Sequence, residues 1–133
     1  MTMETGAKVD MTATPKDGLS GIRRLVRSMR VTIAGLRWAF RNEEAVRLEV
    51  IGLLFLVPVA LWLGNSGIER ALLIASLFLV LIVELINSAV EATVDRIGTE
   101  RHPLSGAAKD LGSAAVFVAL VNAVVVWLLV LFL

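Results

Sequence analysis

Polar and apolar positions separate into long blocks along this chain. Three stretches are almost purely apolar: "AVRLEVIGLLFLVPVALWLG" over residues 45–64, a second over about 68–94, and a third over about 111–133. Each has roughly the twenty residues that cross a bilayer core of about 30 Å at 1.5 Å per residue. Backbone groups cannot stay unpaired in lipid, so all three are expected to be helices. Pro58 falls inside the first and should weaken or kink it. Ahead of them, over about 20–44, Ile22, Leu25, Met29, Ile33, Leu36 and Phe40 recur at helical spacing. Arg23, Arg27, Arg30, Arg37 and Arg41 fall on the other side, which predicts an amphipathic helix lying on an anionic membrane surface. Trp38 suits an interfacial anchor on that helix. Residues 1–19 are polar, carry no apolar core of a signal peptide, and read as a disordered tail. The expected fold class is therefore all-α and membrane-embedded: a surface helix and three transmembrane helices in one domain, 20–133.

Composition agrees. The apolar fraction of 57% and mean hydropathy of +0.81 exceed those of soluble domains. The absence of cysteine excludes a disulfide framework and a thiolate metal site. A net charge of +1 conceals segregation, because Lys16 and seven arginines from Arg23 to Arg47 precede the first span. The loop "GNSGIER" carries only Arg70, whereas "DRIGTERHPLSGAAKD" carries Arg96, Arg101 and Lys109. By the positive-inside rule the N-terminus and the second loop are expected to face the cytoplasm, and the C-terminus to end on the far side of the membrane. The charge serves the membrane surface, and no nucleic-acid partner is expected.

The second span raises a question, since Glu84, Asn87, Ser88, Glu91 and Asp95 interrupt an otherwise oily helix. At 100° per residue they fall within an arc of about 100°, so they point together into a bundle or cavity. Glu84 lies roughly 16 Å deeper than Asp95 along the axis. A carboxylate at that depth costs several kcal/mol unless paired or solvated, and nothing in this span pairs with it, which suits a general base near neutral pH. A second acidic element, "NEEAVRLE" over 42–49, puts Glu43 at the membrane boundary, at a level Glu91 can share, and Glu49 just inside. Two carboxylates from different helices, with no cysteine and one histidine in the chain, suit a hard cation such as Mg²⁺ bridged to phosphate oxygens. Lys109 and Arg24 can neutralise polyphosphate on the same side. Glu44, Glu69 and Glu100 read as solvated surface charges rather than ligands. In the third span Ala108, Gly112, Ala115, Ala119 and Ala123 form a small-residue stripe for close helix packing.

The stretches "VELINSAVEATVDRIG" (83–98) and "HPLSGAAKDLGSAAV" (102–116), with "NEEAVRLE", closely resemble the prokaryotic diacylglycerol kinase family, and the resemblance covers residues 20–133. It implies a homotrimer of such chains with active sites shared between subunits. The implied reaction transfers the γ-phosphate of MgATP to the hydroxyl of diacylglycerol, giving phosphatidic acid. It also implies roles: Glu84 as catalytic base, Glu43 and Glu91 as ligands of the ions that hold ATP, and Lys109, Asp110, Arg24, Glu100 and His102 as nucleotide contacts. Glu49, Asn87 and Ser113 match positions around the base and the lipid, and Asp95 a structurally important acid. Relatives can carry tyrosine on the surface helix where this chain has Val31. No phosphate-binding G-x-x-x-x-G-K-[ST] loop is present, but phosphoryl transfer needs mainly positioning and charge neutralisation. Three other readings stay open: an undecaprenol kinase of the same family, an ion- or proton-conducting membrane subunit with Glu84 as relay, and a structural membrane protein with no chemistry.

Overall fold

The computed structural model describes residues 21–98, 100 and 102–133. The tail expected over 1–19 lies outside the described residues. The described chain forms helices α1 (Gly21–Asn42), α2 (Glu44–Leu63), α3 (Gly67–Ile97) and α4 (Pro103–Phe132). α2, α3 and α4 are each long and apolar enough to cross a membrane. At 31 residues α3 is about 46 Å long, longer than a hydrocarbon core, so one of its ends must protrude into the interfacial layer.

The chain divides into two units, Met1–Ala34 and Gly35–Leu133. The first contains the opening turns of α1, where Ile22, Leu25 and Met29 are all more than half exposed. An isolated amphipathic helix leaves its apolar side uncovered in this way.

In the second unit, short polar clamps define the joints. α1 gives way to α2 at Asn42–Glu43, where the Glu43 amide donates to the Ala39 carbonyl at 2.8 Å and the Asn42 side chain to the Trp38 carbonyl at 2.7 Å. Arg47 Nη1 donates to the carbonyls of Phe40 (3.3 Å) and Arg41 (3.1 Å), which the end of a helix leaves without partners. Between α2 and α3, Ser66 is the N-cap and accepts from the Glu69 amide at 3.2 Å. The Glu69 carboxylate in turn accepts from the Asn65 amide at 2.8 Å, a variant of the capping box. Glu69 is thus a joint rather than a merely solvated charge. Arg70 Nε donates to the Gly64 carbonyl at 3.0 Å, and a Cβ at Gly64 would stand 2.6 Å from Arg70 Cγ, so this turn has room only for glycine.

α4 begins at Pro103, well ahead of the apolar run that starts at Leu111. Cap chemistry decides this boundary. Proline at the first helical position loses no hydrogen bond, and His102 Nδ1 accepts from the Leu104 amide at 3.2 Å. α2 runs unbroken through Pro58.

α3 is the central helix, packing along α4 and against α2. The α3–α4 contact is antiparallel. Near one end Trp127 Nε1 donates to the Leu73 carbonyl at 3.3 Å; mid-way Val80 and Val83 pack on Ala119 and Ala123; at the other end Lys109 reaches Asp95. The small-residue stripe of α4 is what lets the two backbones approach. A Cβ built on Gly112 would run into the Asn87 amide, so this glycine is the notch that seats Asn87.

Candidate active site

The deeper part of the polar stripe of α3 is buried. Glu84 is 5% exposed, Asn87 8% and Ser88 3%, in a protein whose other large side chains face outward in quantity. Helical spacing sets Asn87 about one turn from both Glu84 and Glu91. Its side-chain nitrogen donates to Glu91 Oε1 at 3.3 Å, while its Oδ1 is buried without a partner. Asparagine here fixes one oxygen of Glu91 and leaves the other for something else.

Two further acids converge on this stripe. Glu43 is the N-cap of α2, in an extended conformation, and its carboxylate makes no capping hydrogen bond. Glu43 and Glu91 both lie within electrostatic reach of Glu84, and Glu84 in turn acts on Glu49. Glu49 is half-buried, its Oε2 has no partner, and it borders an otherwise apolar cleft of about 530 Å³ with Leu53, Leu56, Val80 and Trp127 among the walls. The described structure thus collects Glu43, Glu49, Glu84 and Glu91 in one region.

Like charges gathered in a poorly solvated place are costly unless something positive joins them. Among the described residues no three acids or histidines close into a protein-only metal cage. The donor set still fits magnesium, which commonly binds through one or two carboxylates and completes its shell with water and substrate phosphates. Glu43 and Glu91, each with carboxylate oxygen to spare, have the right chemistry. The fit does not extend to a cation held by the protein alone.

A second site forms at the turn between α3 and α4. Asp95, Glu100, His102, Ser105 and Lys109 line a pocket of about 510 Å³. Lys109 Nζ stands 2.6 Å from Asp95 Oδ1, a pair that ties α4 to α3 beside the pocket. Because the two side chains are 39% and 66% exposed, this pair orients Lys109 more than it stabilises the fold. The structure therefore brings three of the sequence-derived nucleotide contacts together: Glu100, His102 and Lys109. Asp110 and Ser113 are exposed on α4 and do not line either cavity. Arg24 is exposed in the other unit, on the first part of α1.

Three features of this structure lie beyond the spacing of the acids. The Ser66–Glu69 joint carries its own signal, serine followed three residues later by glutamate. The Gly112–Asn87 notch was visible only as a small-residue stripe. The Asp95–Lys109 pair, fourteen residues apart, had no local signal.

Comparison with known proteins bears directly on this geometry. The family model for prokaryotic diacylglycerol kinase matches residues 30–131. The diacylglycerol kinase of Escherichia coli strain K12 is 49% identical over 112 residues, covering 84% of this chain and 92% of that one. That of Pseudomonas aeruginosa is 51% identical over 117 residues, covering 88% and 95%. A more distant diacylglycerol kinase, from Helicobacter pylori strain 26695, is 41% identical over 107 residues, covering 80% and 84%. The matched region takes in α2, α3 and all but the last residue of α4, with every carboxylate gathered above: the chain belongs to the prokaryotic diacylglycerol kinase family.

Proposed function

We propose that this chain phosphorylates diacylglycerol within the membrane, moving the γ-phosphate of ATP directly to the lipid hydroxyl to give phosphatidic acid. The observation that carries the reading is the buried Glu84 with Glu43 and Glu91 within electrostatic reach. That is a base beside an anionic seat for a metal–nucleotide complex. Magnesium, when bound with ATP, would supply charge neutralisation at the phosphates. The chain's own residues do the rest. Glu84 accepts the proton of the lipid hydroxyl. Glu43 and Glu91 hold the ion. Lys109, oriented by Asp95, faces the polyphosphate, with Arg24, Glu100, His102 and Asp110 as further nucleotide contacts. Asn87 positions Glu91, and Glu49 and Ser113 support the lipid.

The membrane setting follows the same logic. The distribution of basic residues favours the α1 side and the α3–α4 turn in the cytoplasm, where ATP is, with the C-terminus outside. α1 lies on the surface as an anchor. Leu54, Phe55, Trp62 and Phe117 are 66–81% exposed, surface suited to lipid or to sister chains. Three spans are a thin wall around a polyphosphate site, and a homotrimer with shared sites closes it.

The test is direct. Purified chain in detergent micelles, given γ-labelled ATP with diacylglycerol or undecaprenol in parallel, should label diacylglycerol. Label in undecaprenol alone moves the substrate to the other lipid alcohol, and label in neither favours a proton- or ion-conducting role for Glu84.

The Gly112 notch supplies a second expectation. Gly112→Ala pushes a methyl group into the Asn87 amide, and overpacking of this kind costs about 1–3 kcal/mol. The variant should melt at lower temperature in detergent and lose phosphorylation through a displaced Asn87. Unchanged melting and turnover would show that the notch is dispensable.

A further inference from the structure

Helical hydroxyls within an apolar bundle usually satisfy themselves by bonding back to a carbonyl one turn earlier. This chain does so repeatedly. Ser76 Oγ donates to the Leu73 carbonyl at 2.8 Å, Thr93 Oγ1 to the Ala89 carbonyl at 2.7 Å, and Thr32 Oγ1 to the Ser28 carbonyl at 3.0 Å. Of the two buried serines among the described residues, Ser76 makes this bond and Ser88 does not. Ser88 is 3% exposed and its Oγ has no hydrogen-bond partner. A buried hydroxyl left unpaired is costly, and the remedy open to its neighbours is not taken here.

Its position narrows what the missing partner is. Ser88 follows Glu84 by four residues and precedes Glu91 by three, so it stands on the same face, about 6 Å along the axis from one and about 4.5 Å from the other. An acceptor hydroxyl must sit within hydrogen-bond reach of Glu84 and toward the phosphate held at Glu91. Two polar side chains occupy that interval; the Asn87 amide nitrogen serves the two carboxylates, donating to Glu91 and hydrogen-bonding Glu84, which leaves the Ser88 hydroxyl as the uncommitted donor. We propose that Ser88 Oγ–H donates a hydrogen bond to the hydroxyl oxygen of the lipid substrate and so aims that hydroxyl between Glu84 and the γ-phosphate. The assignment rests on the kinase reading above. In the transfer, the lipid oxygen bonds to the γ-phosphorus and its proton passes to Glu84. The bond from the γ-phosphorus to the β–γ bridging oxygen breaks, and ADP leaves. Ser88 keeps its own proton and holds a lone pair of the acceptor oxygen that is not attacking. A site that hydrogen-bonds a substrate hydroxyl disfavours an analogue lacking it, so Ser88 adds to the selection of a lipid alcohol over a lipid without one.

The experiment compares diacylglycerol as substrate with its 3-deoxy analogue, a methyl group replacing the hydroxymethyl, as competitive inhibitor. In Ser88→Ala the preference for the hydroxyl lipid should shrink by about fivefold, the worth of one ordinary hydrogen bond. Affinity for the deoxy analogue and the KM for ATP should stay as in the parent chain. Ser88→Thr, which keeps the hydroxyl, should retain the preference. If Ser88→Ala does not fold, Ser88→Cys carries the same comparison, because it keeps the volume and bonds weakly. An unchanged preference in the hydroxyl-free variant overturns the assignment while leaving the kinase reading intact. A uniform loss of affinity for both lipids also overturns it, as the mark of a packing role. Failure of the parent chain to phosphorylate diacylglycerol is a different result and removes both readings together.

Discussion

Glu84→Gln should lower diacylglycerol phosphorylation by at least about 100-fold, within the 10²–10⁴ range that general acid–base catalysis contributes, while the protein still assembles and melts no lower than the parent. The two halves of this expectation come from the same geometry. Glutamine matches glutamate in volume, so the 5%-exposed pocket on α3 stays filled. It removes a negative charge from a place where Glu43 and Glu91 already act on it unfavourably, so the fold loses nothing by the exchange. What disappears is the capacity to take a proton. A residue kept only to fix helix register behaves in the opposite way, since its removal weakens the bundle and leaves chemistry to whatever else does it. Radiolabel transfer to lipid, measured beside thermal unfolding in the same detergent, separates the two. A Glu84→Gln protein within tenfold of parental activity would remove Glu84 from the role of base. Glu84→Asp gives an internal check, because it keeps the carboxylate but withdraws it by one methylene. Partial activity there with almost none in the glutamine variant ties the effect to the proton rather than to shape.

Much of this site was legible because a helix imposes its own period. Glu84, Asn87, Ser88 and Glu91 could be placed on one face from spacing alone, and burial of the first three follows from an oily helix turning its polar side inward. The number of spans was equally readable, since hydrophobic length is set by bilayer thickness. Other features depend on chemistry that hydropathy does not sense. α4 starts at Pro103 because proline and His102 suit a helix start, although the residues up to Asp110 are not especially apolar. Glu69 is a surface charge, and it also closes the α2–α3 joint. The Asp95–Lys109 pair joins two helices across a turn, and a one-dimensional pattern holds no register for such a pair. Glu43 is intermediate: its level in the membrane was readable, but its uncommitted carboxylate at the start of α2 is a property of the cap.

That uncommitted carboxylate leads to the second large effect. Glu43→Gln and Glu91→Gln should each raise the Mg²⁺ concentration for half-maximal activity by about tenfold or more, a loss of about 1.4 kcal/mol per ligand, and the double variant should show almost no transfer. Glutamine keeps the size of both side chains and one oxygen, but a neutral amide is a far poorer ligand than a carboxylate for a hard dication. Glu91 offers the more demanding case. Asn87 already donates to its Oε1 at 3.3 Å, so in Glu91→Gln that contact can survive through the amide oxygen while the charge is lost. Activity that returns toward the parental value as Mg²⁺ is raised marks a weakened ion site, because mass action can refill it. Activity that stays low at every Mg²⁺ concentration, with the same midpoint as the parent, would mean that these acids shape the pocket without holding the ion. The magnesium assignment would then have to move to other groups. The order of the two single variants is informative as well. Glu43 sits at a helix joint where its carboxylate makes no capping hydrogen bond, whereas Glu91 is braced by Asn87 on a central helix. The braced ligand loses less freedom on binding, so Glu91→Gln should shift the midpoint further than Glu43→Gln.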